Sequence, residues 1–275
     1  MTDFEERFGG IARLYGRAGL ERLRRAHVAV IGIGGVGSWA AEALARSAVG
    51  ALTLVDLDET CVSNVNRQLH ALEGAIGRAK VEVMAERIRA INPLAAVRPI
   101  AEFFTEANAE RLLAAGFDGV LDATDGVTHK ARLIALCRAQ GLRVVTCGAA
   151  GGRREATAVR AADLAAVTHD RLLAQVRKQL RSAYGFPREE KVFGVPAVYS
   201  PEPPVRPRDE TGQCATAAAS APWGDDSRRL NCNAGLGSAT FVTGTFGFVA
   251  AGLLVNHLAG GGADWPAPPI PPKSR

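Results

Sequence analysis

Cysteine is scarce and scattered. The chain has 275 residues and five cysteines, Cys61, Cys137, Cys147, Cys214 and Cys232. No two of them are spaced C-x-x-C, which argues against a disulfide framework and against a structural zinc. An odd set of isolated thiols fits a reducing setting, so a cytoplasmic protein is expected. Aromatic residues make up only 6%, and there is no aromatic pair of the kind that stacks RNA bases. The opening MTDFEERFGG is acidic and has no apolar core, so no secretory signal is expected there. There is no internal repeat. Charge of neither sign dominates: a formal net charge of +5 permits a nucleic-acid partner without requiring one. A hydrophobic share of 47% describes a globular protein, with length for one large α/β domain or two small ones.

Charge is missing altogether from Ala234 to Leu258, a run long enough to be a transmembrane candidate. The run is rich in Gly and Thr, ends at Asn256-His257 and has no basic cluster after it. It is read as a buried helix of an α/β core, with membrane association as the alternative.

What is present centres on Val28–Gln68. An apolar β-branched run turns through Gly32, Gly34, Gly35 and Gly37. An alanine-rich helical stretch follows, then a second apolar run ending on Asp56 and Asp58. Strand, Gly-x-Gly-x-x-Gly turn, helix, strand and acid form a dinucleotide-binding fingerprint. The glycines let phosphate approach the backbone, and the helix start favours an anion. Asp56 can accept hydrogen bonds from a ribose.

The rest alternates. Helical spacing follows Gly77, a strand is expected over Ala96–Ile100 and a helix over Thr105–Ala115. Next come a strand over Phe117–Leu121 ending in Asp122-Ala-Thr-Asp125, a helix over His129–Gln140 and a strand over Arg143–Thr146. The expectation is an α/β fold with a doubly wound, Rossmann-like, mostly parallel sheet and an irregular C-terminal extension. Ligands of such sheets sit at the C-terminal strand ends. Thr157–Arg160 is a further candidate strand, Asp163–Ser182 a charged helix and Ser200–Arg229 a loop. The expected divisions are an N-terminal arm and helix over 1–26 and a nucleotide-binding core over 27–152. A substrate-side extension with the final buried helix covers 153–260, and a flexible tail 261–275.

The cations after the acid distinguish this site from an ordinary nicotinamide site. Ser63-Asn64-Val65-Asn66-Arg67-Gln68 and Gly77-Arg-Ala-Lys80 follow Asp56-x-Asp58. A dehydrogenase has no evident need of them, whereas an enzyme expelling pyrophosphate does. From Arg13 to Gly148 the set G-x-G-G-x-G, D-x-D, S-N-x-x-R-Q, G-x-x-K and D-x-T-D resembles the ubiquitin-activating-type adenylating enzymes. RFGGIARLYG, RQLHAL and NCNAGLGSATFVTGTFGFVA extend that resemblance over nearly the full length, to the branch that dehydrates threonylcarbamoyladenosine in tRNA. The branch that activates ubiquitin-like sulfur carriers is the alternative. Its members commonly hold zinc through two C-x-x-C pairs, which this chain lacks.

The resemblance implies ATP as substrate, with Asp56 at the ribose and Asn64, Arg67 and Lys80 along the phosphates. Asp125 would hold Mg²⁺. Arg17 would reach into the site of a second copy, which implies a homodimer. It also implies activation of the carboxylate on tRNA adenosine 37 as an acyl adenylate, then attack by the substrate's own ureido group. A sulfur-relay partner of the cysteine-desulfurase system is a further expectation. Cys232 either takes the acyl group as a thioester or caps a turn before the last helix. Asp58 either assists the nucleotide or caps a turn, His70 either faces the site or makes a structural hydrogen bond, and Asp122 orients its loop. Gly148–Gly152 could offer carbonyls to a monovalent cation. The candidates for tRNA phosphate contacts are Arg171, Arg177, Lys178, Arg181, Arg188 and Lys191.

Overall fold

The computed structural model describes residues 2–188, 192–205 and 236–260. Cys214, Cys232, Lys191, most of the Ser200–Arg229 stretch and the tail from 261 lie outside the described residues. Within them run α1 (Asp3–Arg25), β1 (His27–Ile31), α2 (Gly37–Arg46), β2 (Ala51–Val55), α3 (Lys80–Ile91) and β3 (Ala96–Ile100). Then follow α4 (Ala109–Leu113), β4 (Gly119–Asp122), α5 (Val127–Ala139), β5 (Val144–Cys147), β6 (Arg160–Asp163), α6 (Arg171–Ala183), β7 (Pro196–Tyr199) and α7 (Thr240–Ala259).

The strands make one seven-stranded sheet in the order β3-β2-β1-β4-β5-β7-β6. All neighbours pair parallel except β6 with β7. The strand order reverses between β1 and β4, which opens a crevice at their carboxyl ends. Strands β4, β5 and β7 are buried at every residue, as a sheet covered on both faces requires. The outer strand β3 is half exposed and carries Pro99, which an edge tolerates. Alternation along β1 divides the core: Val28 and Val30 pack with α2, α3 and α7, and Ala29 and Ile31 with α4, α5 and α6.

The expected mostly parallel α/β sheet is present, and local chemistry explains where elements depart from expectation. The N-terminal arm is helical: a capping box between Thr2 and Glu5 starts α1, which kinks at Gly16, where φ is 73°. The helix expected over Thr105–Ala115 shrinks to α4, because Asn108 accepts the Thr105 N–H at 2.8 Å and holds a turn. Ala156–Ala158 is a 3-10 turn closed by Glu155, not the expected strand, and β6 begins only at Arg160. The helix expected from Asp163 begins instead at Arg171. The buried Asp163 carboxylate accepts the N–H groups of Ala165, Phe193 and Val195, and Asp170 caps α6. Strand β7 was not expected; it joins the stretch beyond 152 to the same sheet.

Helix α7 is long and apolar enough to cross a membrane by length and composition. In this structure it is packed against α1, α2 and strands β4, β5 and β7, with Phe246, Ala250 and Leu254 fully buried. Its C-terminal end is held by α1, where Tyr15 Oη donates to Asn256 Oδ1 at 2.6 Å and Arg22 Nε to the Ala259 carbonyl at 2.8 Å. Its N-terminal half crosses α2 at close range. A Cβ on Gly247 would lie 2.6 Å from the Val36 carbonyl oxygen and 2.8 Å from the Ala40 nitrogen. Because α2 carries the glycine turn, Gly247→Val is expected to cost about 1–3 kcal/mol of stability by overpacking. It should also weaken nucleotide binding. Urea denaturation alongside nucleotide titration checks both; unchanged values would show that the crossing tolerates bulk.

Candidate functional site

The glycine turn leaves β1 with the Gly32 N–H bonded to the Val55 carbonyl at 2.8 Å. The four glycines have different duties. A side chain at Gly32, where φ is 88°, would meet the Ala123 carbonyl oxygen at 2.9 Å, and one at Gly37 would lie 1.8 Å from the Gly32 oxygen. Gly35 is packed under Thr243 and Arg67. At Gly34 the nearest atom to an added Cβ is 3.9 Å away, so the protein's own packing leaves that side open. Helix α2 starts there with no side-chain cap on its first N–H groups, the geometry that receives a phosphate.

Asp56 ties this turn to the tip of β2. It is buried; Oδ2 accepts the Ile33 N–H at 2.6 Å and Oδ1 the Asp58 N–H at 2.9 Å. Burial pushes its pKa up, against the pull of Lys80 and the two N–H groups. Each oxygen keeps a further lone pair for a ribose hydroxyl. Asp58 does more than cap a turn: its Oδ2 receives Lys80 Nζ at 2.7 Å, and its carbonyl the Lys80 N–H at 3.0 Å. The Lys80 side chain is 7% exposed and that of Asp58 51%.

Residues 60–70 wrap the open side. Asn64 is buried and accepts the Cys61 N–H at 3.0 Å. Arg67 Nη1 donates to the Ser63 carbonyl at 2.7 Å and to Asn66 Oδ1 at 3.0 Å. The Arg67 carbonyl accepts from Trp39 Nε1 on α2 at 3.0 Å and from Thr243 Oγ1 on α7 at 3.3 Å. Asn66 Nδ2 reaches the Ser238 carbonyl at 2.7 Å. Within this stretch, Thr60 Oγ1, Ser63 Oγ, Gln68 Oε1 and both His70 ring nitrogens are buried with no hydrogen-bond partner. The structural hydrogen bond considered for His70 is therefore not made. Buried polar atoms without partners are rare, and their concentration here fits a site that a polar ligand completes.

Across the crevice, Asp122 ends β4 fully buried and orients its loop: Oδ1 accepts Thr124 N–H at 3.1 Å and Thr124 Oγ1–H at 2.7 Å. Asp125 is exposed and makes no hydrogen bond or ion pair among the described residues. No group of three or more acidic, histidine or cysteine side chains lies together among the described residues. A magnesium that keeps most of its ligands as phosphate oxygens and water fits a single free carboxylate.

The sequence reading missed Lys130. Its ammonium is fully buried and meets Asp122 Oδ2 at 2.8 Å and Thr146 Oγ1 at 3.3 Å. The signal was a lysine in phase with Ile134 and Cys137 on the buried face of α5. Burial pushes the Cys137 and Cys147 thiols up to about 12, which suits packing residues.

Arg17 is not brought to this chain's own turn. It lies exposed on α1 between Tyr15 and Gly19, which pack at residues 256–259 of α7, whereas Thr243 marks the site. Thirteen helical residues separate those ends, roughly 20 Å. Of the basic residues near α6, Arg177 bonds the Leu164 carbonyl and Arg181 bonds Pro187 and covers the Phe193 ring. Arg171, Lys178 and Arg188 are exposed, the first two on one stripe with Gln175 and Ser182. At Gly148–Gly152, the Gly152 carbonyl is taken by the Val205 N–H at 2.7 Å.

His70 yields a pH prediction. Burial, with Lys80 nearby, lowers its pKa to about 4 from 6.5. Its neutral form belongs to the fold, so its contribution is full above pH 6.5 and is lost as pH falls towards 4. Between pH 7.5 and pH 5 this group should cost about 2 kcal/mol of stability. In His70→Phe that much of the pH difference should vanish. Denaturant unfolding at the two pH values measures it, and an unchanged difference would reject the role.

A model of the ThiF family matches residues 10–260. A tRNA threonylcarbamoyladenosine dehydratase of Haemophilus influenzae is 46% identical over 259 residues, covering 94% of this chain and 95% of the relative. One from Escherichia coli is 47% identical over 248 residues, covering 90% and 91%. The crystal structure of E. coli tRNA N6-threonylcarbamoyladenosine dehydratase, TcdA, in complex with ATP superposes at a TM-score of 0.82. Identity there is 43%, over 94% of this chain and 96% of that one. The glycine turn, the cations behind it and this agreement along the chain lead to one conclusion: it belongs to the ThiF family, in the tRNA threonylcarbamoyladenosine dehydratase branch.

Proposed function

We propose that this chain seats ATP on the glycine turn and uses it to cyclise threonylcarbamoyladenosine at position 37 of tRNA. The observation that carries the reading is the wall formed by Asn64, Arg67, Lys80 and the unpartnered polar atoms of residues 60–70, facing an uncapped helix start. A nicotinamide needs no such cations; a triphosphate that loses pyrophosphate does. Gly34 leaves room for phosphate, Asp56 accepts from the ribose, and Lys80 exchanges the exposed Asp58 carboxylate for a phosphate oxygen. Asp125 is the residue to hold magnesium, which when bound neutralises charge on the phosphates.

In the reaction, the threonyl carboxylate attacks the α-phosphorus and pyrophosphate leaves. The substrate's ureido group then attacks the activated carbonyl, expelling AMP and closing a ring. The sum is loss of one water from the base. Ring closure is intramolecular, so the chain's task is positioning and charge stabilisation. Arg171, Lys178 and Arg188 are the exposed cations for the tRNA backbone. The carbonyls of Gly148–Gly151 are the proposed seat for a monovalent cation. The separation of Arg17 from its own site supports a homodimer in which it serves the partner's.

Nucleoside mass spectrometry of modified tRNA treated with the chain, ATP and magnesium tests the reading. Loss of one water with one AMP released is expected, and Lys80→Ala should slow it about 10²–10³-fold. AMP formed only with a sulfur-carrier protein, and never with tRNA, would instead favour the carrier-activating reading. The dimer has its own test. Arg17→Ala and Lys80→Ala chains, each nearly inactive, should regain about a quarter of wild-type activity after mixing and exchange, since half the dimers carry one intact site. No recovery despite exchange would place Arg17 outside the site.

A further inference from the structure

Lys130 is among the largest fully buried side chains in the described residues, and it has no part in the reaction as proposed. It forms a closed polar triangle inside the sheet. Its ammonium donates to Asp122 Oδ2 at 2.8 Å and to Thr146 Oγ1 at 3.3 Å, and Thr146 Oγ1 donates in turn to Asp122 Oδ2 at 2.7 Å. The other Asp122 oxygen holds Thr124 by its N–H and its hydroxyl. One carboxylate thus has two faces: an inner oxygen locked to α5 and β5, and an outer oxygen locked to the loop that ends in Asp125.

We propose that Lys130 is a positioning residue for the metal: by holding Asp122 inside the fold, it leaves Asp125 as the loop's carboxylate for the magnesium of ATP. The inference rests on the reading of Asp125 as the magnesium ligand. Two aspartates three residues apart at one strand end could both compete for a divalent ion. A lysine that is 0% exposed, against an aspartate that is 0% exposed, removes one of them from the competition. The packing leaves little slack. The Ala123 N–H is bonded to Ile31 at 2.9 Å, and the Ala123 carbonyl would sit 2.9 Å from a Cβ on Gly32. The loop therefore leaves β4 directly over the glycine turn. Without Lys130 the buried carboxylate has no counter-charge, so it turns towards the nearest cation and releases Thr124. Asp125 then loses its fixed place.

A fold-stabilising lysine and a metal-positioning one differ in what magnesium adds to ATP affinity. Calorimetric ATP titration of the full chain, with excess magnesium and with EDTA, reads this for Lys130→Met, Asp125→Asn and the double variant. Lys130→Met is expected to lose about 10-fold or more of the affinity that magnesium adds, with ATP affinity in EDTA within about twofold of wild type. The double variant should be no weaker than Asp125→Asn alone, because both changes act on one ligand. Equal losses with and without magnesium, or additive losses, would overturn the proposal. Asp122→Asn/Lys130→Met provides a second readout if the single variant does not fold. Its Asn Oδ1 can still accept from Thr124, so the magnesium effect should return; if it stays lost, the proposal fails. Asp125→Asn with its magnesium effect intact would overturn the metal assignment and this inference together. A loss in Asp125→Asn with none in Lys130→Met would overturn only the inference.

Discussion

One buried carboxylate sets the geometry of the nucleotide site. Asp56 sits where β2 ends, and its two oxygens accept backbone N–H groups from the glycine turn and from Asp58. The turn therefore cannot drift from the neighbouring strand tip without uncovering a buried acid, which would cost several times a normal hydrogen bond. The same acid fixes where Asp58 points, and Asp58 fixes Lys80. A chain of three side chains thus runs from the interior of the sheet to the first turn of α3.

The acids and lysines of the site fall into pairs of different permanence. Asp58 and Lys80 form an ion pair in which the carboxylate is half exposed, so water or a phosphate oxygen can take its place beside the lysine. Asp122 and Lys130 form one with neither partner exposed, where parting the charges means leaving them uncompensated in a low-dielectric interior. Asp125 has no partner among the described residues. An exchangeable pair, a permanent pair and a free acid, beyond the carboxyl ends of β2 and β4 on either side of β1, suit the handling of a charged substrate on a rigid frame.

Much of this was readable from the sequence because the site is local. Gly32, Asp56, Asn64, Arg67 and Lys80 lie within one strand–helix–strand–helix stretch, where spacing translates directly into position. What escaped depends on partners in other elements or on short polar competitors. Strand β7 is four residues long and opens with Pro196, which reads as a breaker, yet proline is tolerated at a strand's first position. Asp163 looks like the start of a helix; burial turned it into a clamp for the backbone at 193 and 195. Lys130 escaped because its partner, Asp122, sits eight residues upstream on β4 and not on its own helix. Arg177 and Arg181 were legible as basic residues, but not as ones already engaged with the Leu164 carbonyl and the Phe193 ring. Arg17 was legible as a motif, and the fold explains why that motif is far from its own chain's turn.

The crossing of α2 by α7 joins Trp39 to Phe248, ring against ring at 5.9 Å, across about 200 residues of sequence. The phosphate-binding turn is among the first parts of the sheet to leave a ribosome, and the helix that braces it is among the last. A half-made chain holds a complete glycine motif without the support that fixes it, and loop closure over so long a separation is slow. Full bracing of the nucleotide turn therefore waits until α7 has been made and has docked on α2.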